Sequence, residues 1–216
     1  MTAINKRLFF NMGTTFSRQI GVAVFQLLFT ILLARALGKE NYGVYALALM
    51  LPQLFMKVLN MGIGPSIVYY IARKEISLSS AFSKILVISL WVSLFGLGME
   101  FLVVSQFSPS LFPDIPQKLL VLSAILFPLL LLQELLPNLL LGIEKFKEYN
   151  LSYSVFPMVS LIVAWFLLNY VGVEVKYAFY AYASGQLVSV LWLLLVLNQS
   201  IKVEHSITGD EISWHP

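Results

Sequence analysis

The residues with chemistry to offer are the ionisable and amide side chains that interrupt long apolar runs. Gln53, Lys57 and Asn60 recur at four- and three-residue spacing, so a helix aligns them in one polar stripe. An amine in such a run either faces a wet cavity, where it can offset an anionic solute, or snorkels to an interface. Gln26 and Gln186 lie near the middle of their own runs, at the expected level of Lys57. Such amides can hydrogen-bond sugar hydroxyls or serve as interhelical glue. Glu134 and Asn138, four residues apart, share a face bracketed by Pro128 and Pro137. Arg18 falls at about their depth, so an Arg18 to Glu134 pair is allowed. Glu134 reads as an ion-coupling carboxylate, as half of a structural pair, or as a protonated, hydrogen-bonded carboxyl. Glu100, near the end of its run and near the level of Arg35, reads as an interfacial carboxylate.

Enzyme chemistry has no foothold. Cysteine is absent, both histidines (His205 and His215) stand close to Pro216, and Asp114 and Asp210 are the only aspartates. There is no Walker loop, no His-Glu-x-x-His and no Gly-x-Ser-x-Gly. Neither a metal site nor a cofactor is expected, and no enzymatic activity.

The elements that must position these residues are membrane helices. Of 216 residues, 59% are apolar or aromatic and 12% charged, about half the charge share of a soluble domain. Mean hydropathy is +0.83. Six apolar stretches follow one another, near residues 13–37, 42–71, 82–104, 118–141, 151–171 and 177–197, with short loops between them. They are apolar all round and about twice as long as barrel strands, so the expected fold is an all-α bundle of six transmembrane helices. The second stretch, about 43 Å long as a helix, must tilt or protrude, and Gly62-Ile63-Gly64-Pro65 should interrupt it.

Lys6, Arg7, Arg18, Arg73, Lys74, Lys84, Lys145, Lys147 and Lys202 fall on the side of the N-terminus, against Arg35, Lys39, Lys118 and Lys176 on the other. This bias places both termini in the cytoplasm of a multi-pass cell-membrane protein. A cleaved signal is not expected, because the first stretch is too long and holds Arg18, Gln19 and Gln26. Residues 198–216 read as a polar, loosely held cytoplasmic tail. A net charge of +3, carried in short clusters, excludes a nucleic-acid partner. Of Tyr69, Tyr70, Tyr149, Tyr153, Tyr177, Tyr180 and Tyr182, most lie near span ends and read as interfacial anchors rather than sugar-stacking platforms.

Two segments carry a resemblance. LARALGKENYGVYAL over residues 33–47 and NMGIGPSIVYYIAR over residues 60–73 resemble the N-terminal part of the polysaccharide and O-antigen flippases, in the multidrug/oligosaccharidyl-lipid/polysaccharide exporter superfamily. Arg35-Ala36-Leu37-Gly38, Tyr42-Gly43 and Ala72-Arg73 match the family pattern, whereas Asn60 stands where the family often has Asp. Gly142-Ile143-Glu144-Lys145-Phe146 fits a later loop. The resemblance implies a lipopolysaccharide or polysaccharide precursor as substrate: a sugar chain on a polyprenyl pyrophosphate carrier, moved between leaflets by alternating access and driven by a monovalent cation gradient. Lys57 and Arg18 are then candidates for the pyrophosphate, beside Gln26, Gln53, Asn60 and Gln186, with Glu134 for ion coupling. Family members have two six-helix lobes, so the expected partners are membrane lipids, the lipid-linked oligosaccharide and a second lobe or second copy. An inactive remnant or assembly partner, and a multidrug exporter of the same superfamily, are the alternatives.

Overall fold

The computed structural model describes the backbone of residues 3–212 and the side chains of residues 19–107 and 110–204. Seven helices follow in order: α1 (Ala3–Leu59), α2 (Ile63–Ala72), α3 (Leu78–Leu111), α4 (Gln117–Ala124), α5 (Phe127–Gly142), α6 (Phe146–Tyr170) and α7 (Val175–Ile212). Five stretches are long and apolar enough to cross a membrane: Gln19–Leu59, Leu78–Phe107, Gln117–Gly142, Phe146–Tyr170 and Val175–Glu204. Ile63–Ala72 is a shorter apolar helix. The protein is an all-α polytopic bundle.

The first stretch is too long for one crossing. Its 41 residues would extend about 60 Å, twice a hydrocarbon core. Gly38, with φ 77° and ψ 173°, breaks it. Before the break, Gln19 and Gln26 lie beside Tyr149 and Tyr153 at the start of α6. After it, Asn41 lies with Val175 and Lys176 at the start of α7, Tyr45 packs on Phe179, and Gln53 meets Tyr182. The two halves therefore run in opposite directions, and Gly38 is the tip of a helical hairpin.

Later helices break where their backbone must. Between α1 and α2, Met61 (φ 44°) and Gly62 (φ 75°) take left-handed conformations, so the break falls at the start of the expected interruption, while Ile63, Gly64 and Pro65 already belong to α2. α4 ends at Ala124 and α5 begins with Phe127-Pro128, because Pro128 has no N–H to offer the Ala124 carbonyl. α2 and α5 then run side by side in the same direction. A Cβ on Gly64 would stand 2.7 Å from Asn138 Nδ2, and one on Gly142 would stand 2.9 Å from Ile71 Cβ.

The core is largely apolar, but the outer surface is apolar too, and hydroxyls and amides are turned inward. Ser89, Ser93, Glu100, Ser123, Gln133, Ser152, Ser160, Gln186, Ser189 and Ser200 are buried, while Trp91, Phe95, Phe101, Phe166 and Leu195 are exposed. Apolar rings outside and hydroxyls inside suit a hydrocarbon solvent, where polar groups gain only by facing one another. One such knot joins three helices. Gln133 Nε2 donates to the Ser152 carbonyl (3.4 Å) and Ser189 Oγ donates to the same oxygen (3.0 Å).

The segment after Leu197 differs from the loose tail expected. α7 continues through it, because Lys145 Nζ donates to Ser200 Oγ at 2.8 Å and the Leu78 N–H donates to Glu204 Oε1 at 3.4 Å. Helix α7 thereby ties together the loop before α3 and the loop before α6. Lys74, Glu144 and Glu204 surround one cavity at this basic end, whereas Lys118 and Lys176 lie with Asn41 at the opposite end.

Candidate functional site

The polar stripe of α1 lies on the hairpin's second half. Gln53 is half-buried, Lys57 one turn on is exposed, and Asn60 is half-buried with its Oδ1 unpartnered. Leu54, Val58 and Met61, interleaved with Lys57, are exposed apolar residues, Met61 by 82%. Lys57 sits about midway between the Gly38 turn and Arg73, where an unpaired amine facing lipid is costly. The two ion pairs formed among the described residues, Arg73 with Glu75 (3.6 Å) and Lys176 with Glu174 (2.8 Å), do not involve it.

Gln53 and Gln186, placed at separate points in the sequence, are brought together by Tyr182, one of a group of tyrosines read mostly as interfacial anchors. Tyr182 is 9% exposed. Its ring packs edge-on against Phe156 (centroids 5.0 Å), and its hydroxyl faces the side-chain amides of both Gln53 and Gln186 as a potential acceptor. Tyr182 is thus part of the core. Its place one turn before Gln186 on the same helix face was the available signal. Replacing Tyr182 with Phe keeps the ring packing but strips both amides of their acceptor. The expected loss is about 1–3 kcal/mol, read as a lowered melting temperature in detergent; an unchanged melting temperature contradicts the contact.

Gln26 does not share the level of Gln186. It is exposed and lies beside Tyr149 and Tyr153, whereas Gly185, next to Gln186, meets Phe156 and Ser160. Because α6 advances 1.5 Å per residue, Gln26 stands about one to two turns closer to the basic end. Glu134 and Asn138 are half-buried. Asn138 turns its amide back to the carbonyls of Glu134 (2.8 Å) and Leu135 (3.4 Å) and lies against Gly64, so this pair borders the α1–α2 break. Arg18, and with it the Arg18 to Glu134 pair, lies outside the described side chains.

The motif residues occupy ends and turns. Arg35 is exposed, Tyr42 and Gly43 begin the second half of the hairpin, and Arg73 lies over the Tyr69 ring, 4.5 Å from its centroid. Gly38 is the motif position with a backbone reason. Among the described residues, no cluster of three or more His, Asp or Glu side chains could hold a metal ion. Glu100 is wholly buried, with neither carboxylate oxygen hydrogen-bonded. The interfacial position expected for it is therefore corrected: α3 turns Glu100 inward on the stripe of Ser89, Ser93 and Gly96.

The geometry is that of a polar seam inside an apolar bundle, with one cation at its exposed edge. Comparison with known families gives a match to the polysaccharide biosynthesis protein family over residues 8–208. The chain belongs to that family. No curated protein and no solved structure matches it. As a polysaccharide biosynthesis protein, it is a multi-pass membrane protein with a general role in handling polysaccharide or lipid-linked sugar for export. The match spans every helix, the α1 hairpin with its stripe included.

Proposed function

We propose that this chain is one lobe of a flippase. It moves a polyprenyl-pyrophosphate-linked oligosaccharide between membrane leaflets by alternating access, without enzymatic chemistry on the sugar. The observation that carries the reading is Lys57, an unpaired cation in the last turn of α1, about midway between the Gly38 turn and Arg73 and exposed among Leu54, Val58 and Met61. Facing lipid, that amine costs about 2.5–3.5 kcal/mol. Facing a wet cavity closed by a second lobe or a second copy of the chain, it meets an anionic headgroup and offsets its charge. Gln53 and Asn60, one turn to either side, can exchange hydrogen bonds with sugar hydroxyls, and Gln26 extends the polar lining. Lys74, Lys145 and Lys202 gather toward one end, which supports placing that end and both termini in the cytoplasm of a bacterial or archaeal cell.

The test is export. Lys57→Ala, expressed with whatever completes the transporter, should lower surface glycan about tenfold or more, the worth of one charge-assisted contact, at unchanged protein abundance. Lys57→Arg should retain most of it. Full glycan display in Lys57→Ala cells refutes the reading.

A further inference from the structure

α2 and α3 both lean on α5 and leave a furrow between themselves. Gly64 and Ile71 of α2 lie against Asn138 and Gly142 of α5, and Gly96 of α3 lies under the Phe127 ring. Beside these contacts, Ala81 and Ile85, 1% and 0% exposed, floor a cavity of about 450 Å³. Ile63, Ile67 and Ile88 wall it, and Tyr70 and Lys84 complete its lining. The cavity opens to the outside of the bundle, since Met61, Tyr70, Lys84 and Ile88 along it are all exposed.

Lys84 is the one charge in this lining. It takes no part in the two ion pairs formed among the described residues, and the carboxylates near this end are engaged elsewhere: Glu75 pairs with Arg73 (3.6 Å), and Glu204 accepts the Leu78 N–H (3.4 Å). The Ser66 hydroxyl is committed to its own helix, donating to the Gly62 carbonyl at 3.0 Å. Tyr70, whose ring stands edge-on to Tyr69 (centroids 5.4 Å), brings a phenol hydroxyl to the same cavity.

Depth decides what an exposed ammonium can meet there. The span Leu78–Phe107 has 30 residues, about 45 Å as a helix, and so overhangs a hydrocarbon core of about 30 Å by about 7 Å at each end. Lys84 stands about 9 Å from Leu78 along the axis, at the level where headgroup phosphates meet acyl chains. One positive charge at that level, with an apolar furrow beside it, complements an amphiphile that has one negative charge and a hydrocarbon tail. A phosphodiester carries a single negative charge. A pyrophosphate carries more and calls for a second cation, but the nearest in sequence, Lys74, lines the neighbouring cavity with Glu144 and Glu204. A helix, about 10 Å across, would fill this volume with about one turn, so the furrow suits a single chain of methylenes better than a protein segment.

We propose that the α2–α3 furrow is a site for one anionic glycerophospholipid of the leaflet at the basic end. Its phosphodiester ion-pairs with Lys84 and accepts the Tyr70 hydroxyl, and one acyl chain lies over Ala81 and Ile85. Basic pockets between membrane helices hold anionic headgroups in this way. An acyl chain gains little by leaving surrounding lipid for an apolar furrow, so Lys84 supplies the selectivity and the furrow the fit. Bound there, the lipid fills the gap between α2 and α3 and steadies the α1–α2 break. The site does not depend on the flippase reading.

The experiment uses the full chain in mild detergent with equal phosphatidylglycerol and phosphatidylcholine, and retained lipid is read by native mass spectrometry. Wild type should keep one phosphatidylglycerol about fivefold better than phosphatidylcholine, the worth of one lysine at an anionic lipid surface. Lys84→Gln should lose that preference and Lys84→Arg should keep it. Lys202→Gln removes an exposed lysine near the same end but outside the furrow, and should leave the preference unchanged. Ser66→Phe places a ring in the furrow from an exposed position; it should lower retention of both lipids about fivefold or more while the lipid-free melting temperature stays at the wild-type value. A preference that survives Lys84→Gln, or that falls equally in Lys202→Gln, overturns the site, as does full retention in Ser66→Phe. Displacement of the lipid by equimolar glycerol phosphate, which has the headgroup charge without chains, overturns the lipid assignment. Polyprenyl phosphate retained from the cell membrane in place of phospholipid also overturns it, and so does a lipid-free dimer in which a second copy covers the furrow.

Discussion

Gly185→Val should leave almost no folded protein, and Gly185→Ala should be folded but destabilised by about 1–3 kcal/mol. Gly185 is buried where α7 crosses α6. A Cβ there would stand 2.7 Å from the Phe156 carbonyl oxygen and 3.1 Å from Ser160 Cβ, and would collide with Ser160 Oγ. A serine hydroxyl can rotate or be removed, but a carbonyl inside a helix cannot move without the helix. Buried small residues line this contact on both sides, Ser160 and Ala164 on α6, Ala181 and Ser189 on α7. In a membrane, where apolar side chains gain little by leaving lipid, such close approach supplies the van der Waals energy of association. The same approach holds Tyr182 against Phe156 and hence aims its hydroxyl at Gln53 and Gln186. Detergent size-exclusion chromatography and thermal melting measure the effect. Ser160→Gly should rescue part of the Gly185→Ala loss, because it removes the side chain in the way but not the Phe156 carbonyl. Wild-type stability in Gly185→Ala, with no coupling to Ser160→Gly, would show that the helices do not meet at this residue.

The membrane class, the helix punctuation and the family were legible because each rests on local quantities. Run length against bilayer thickness gave the bundle, and Gly62, free to take a left-handed φ, and Pro128, which lacks an N–H, favour breaks for local reasons. Facing is different, since it depends on which neighbour a helix meets. Gln133 and Glu134 are adjacent, and the sequence drew attention to the charge, yet it is Gln133 that is buried and bonded to α6. Glu100 is in a helix apolar on nearly every side, so no periodicity marked its inward turn; Ser89, Ser93 and Gly96, at helical spacing with it, were the faint sign. Depth was misjudged for Gln26 because counting from span ends ignores the register between α1 and α6. The continuation of α7 depends on Glu204 reaching Leu78, a contact 126 residues apart in sequence.

Gly38→Val should disrupt the hairpin itself. At φ 77° and ψ 173°, Gly38 occupies a region that is essentially closed to residues with a side chain, at about 1–3 kcal/mol for a small one and more for a β-branched one. Crowding plays no part, because a Cβ on Gly38 would meet nothing within 4 Å. The cost is purely one of backbone conformation. The cheapest relief is a helical φ at position 38, but this would make residues 19–59 one rod of about 60 Å and separate Tyr45 from Phe179 and Gln53 from Tyr182. Gly43 supplies the control: it is inside the helix, has no unusual φ, and a Cβ there also meets nothing within 4 Å. Gly43→Ala should therefore be neutral or stabilising by about 0.5–1 kcal/mol, while Gly38→Ala is destabilised and Gly38→Val largely misfolds. The lack of cysteine in the sequence allows a direct reading of topology. A single Lys39→Cys should react with a membrane-impermeant thiol reagent from the side opposite to Lys74→Cys, and adding Gly38→Val should abolish that sidedness. If sidedness and melting temperature both survive Gly38→Val, the reversal of α1 does not depend on the glycine.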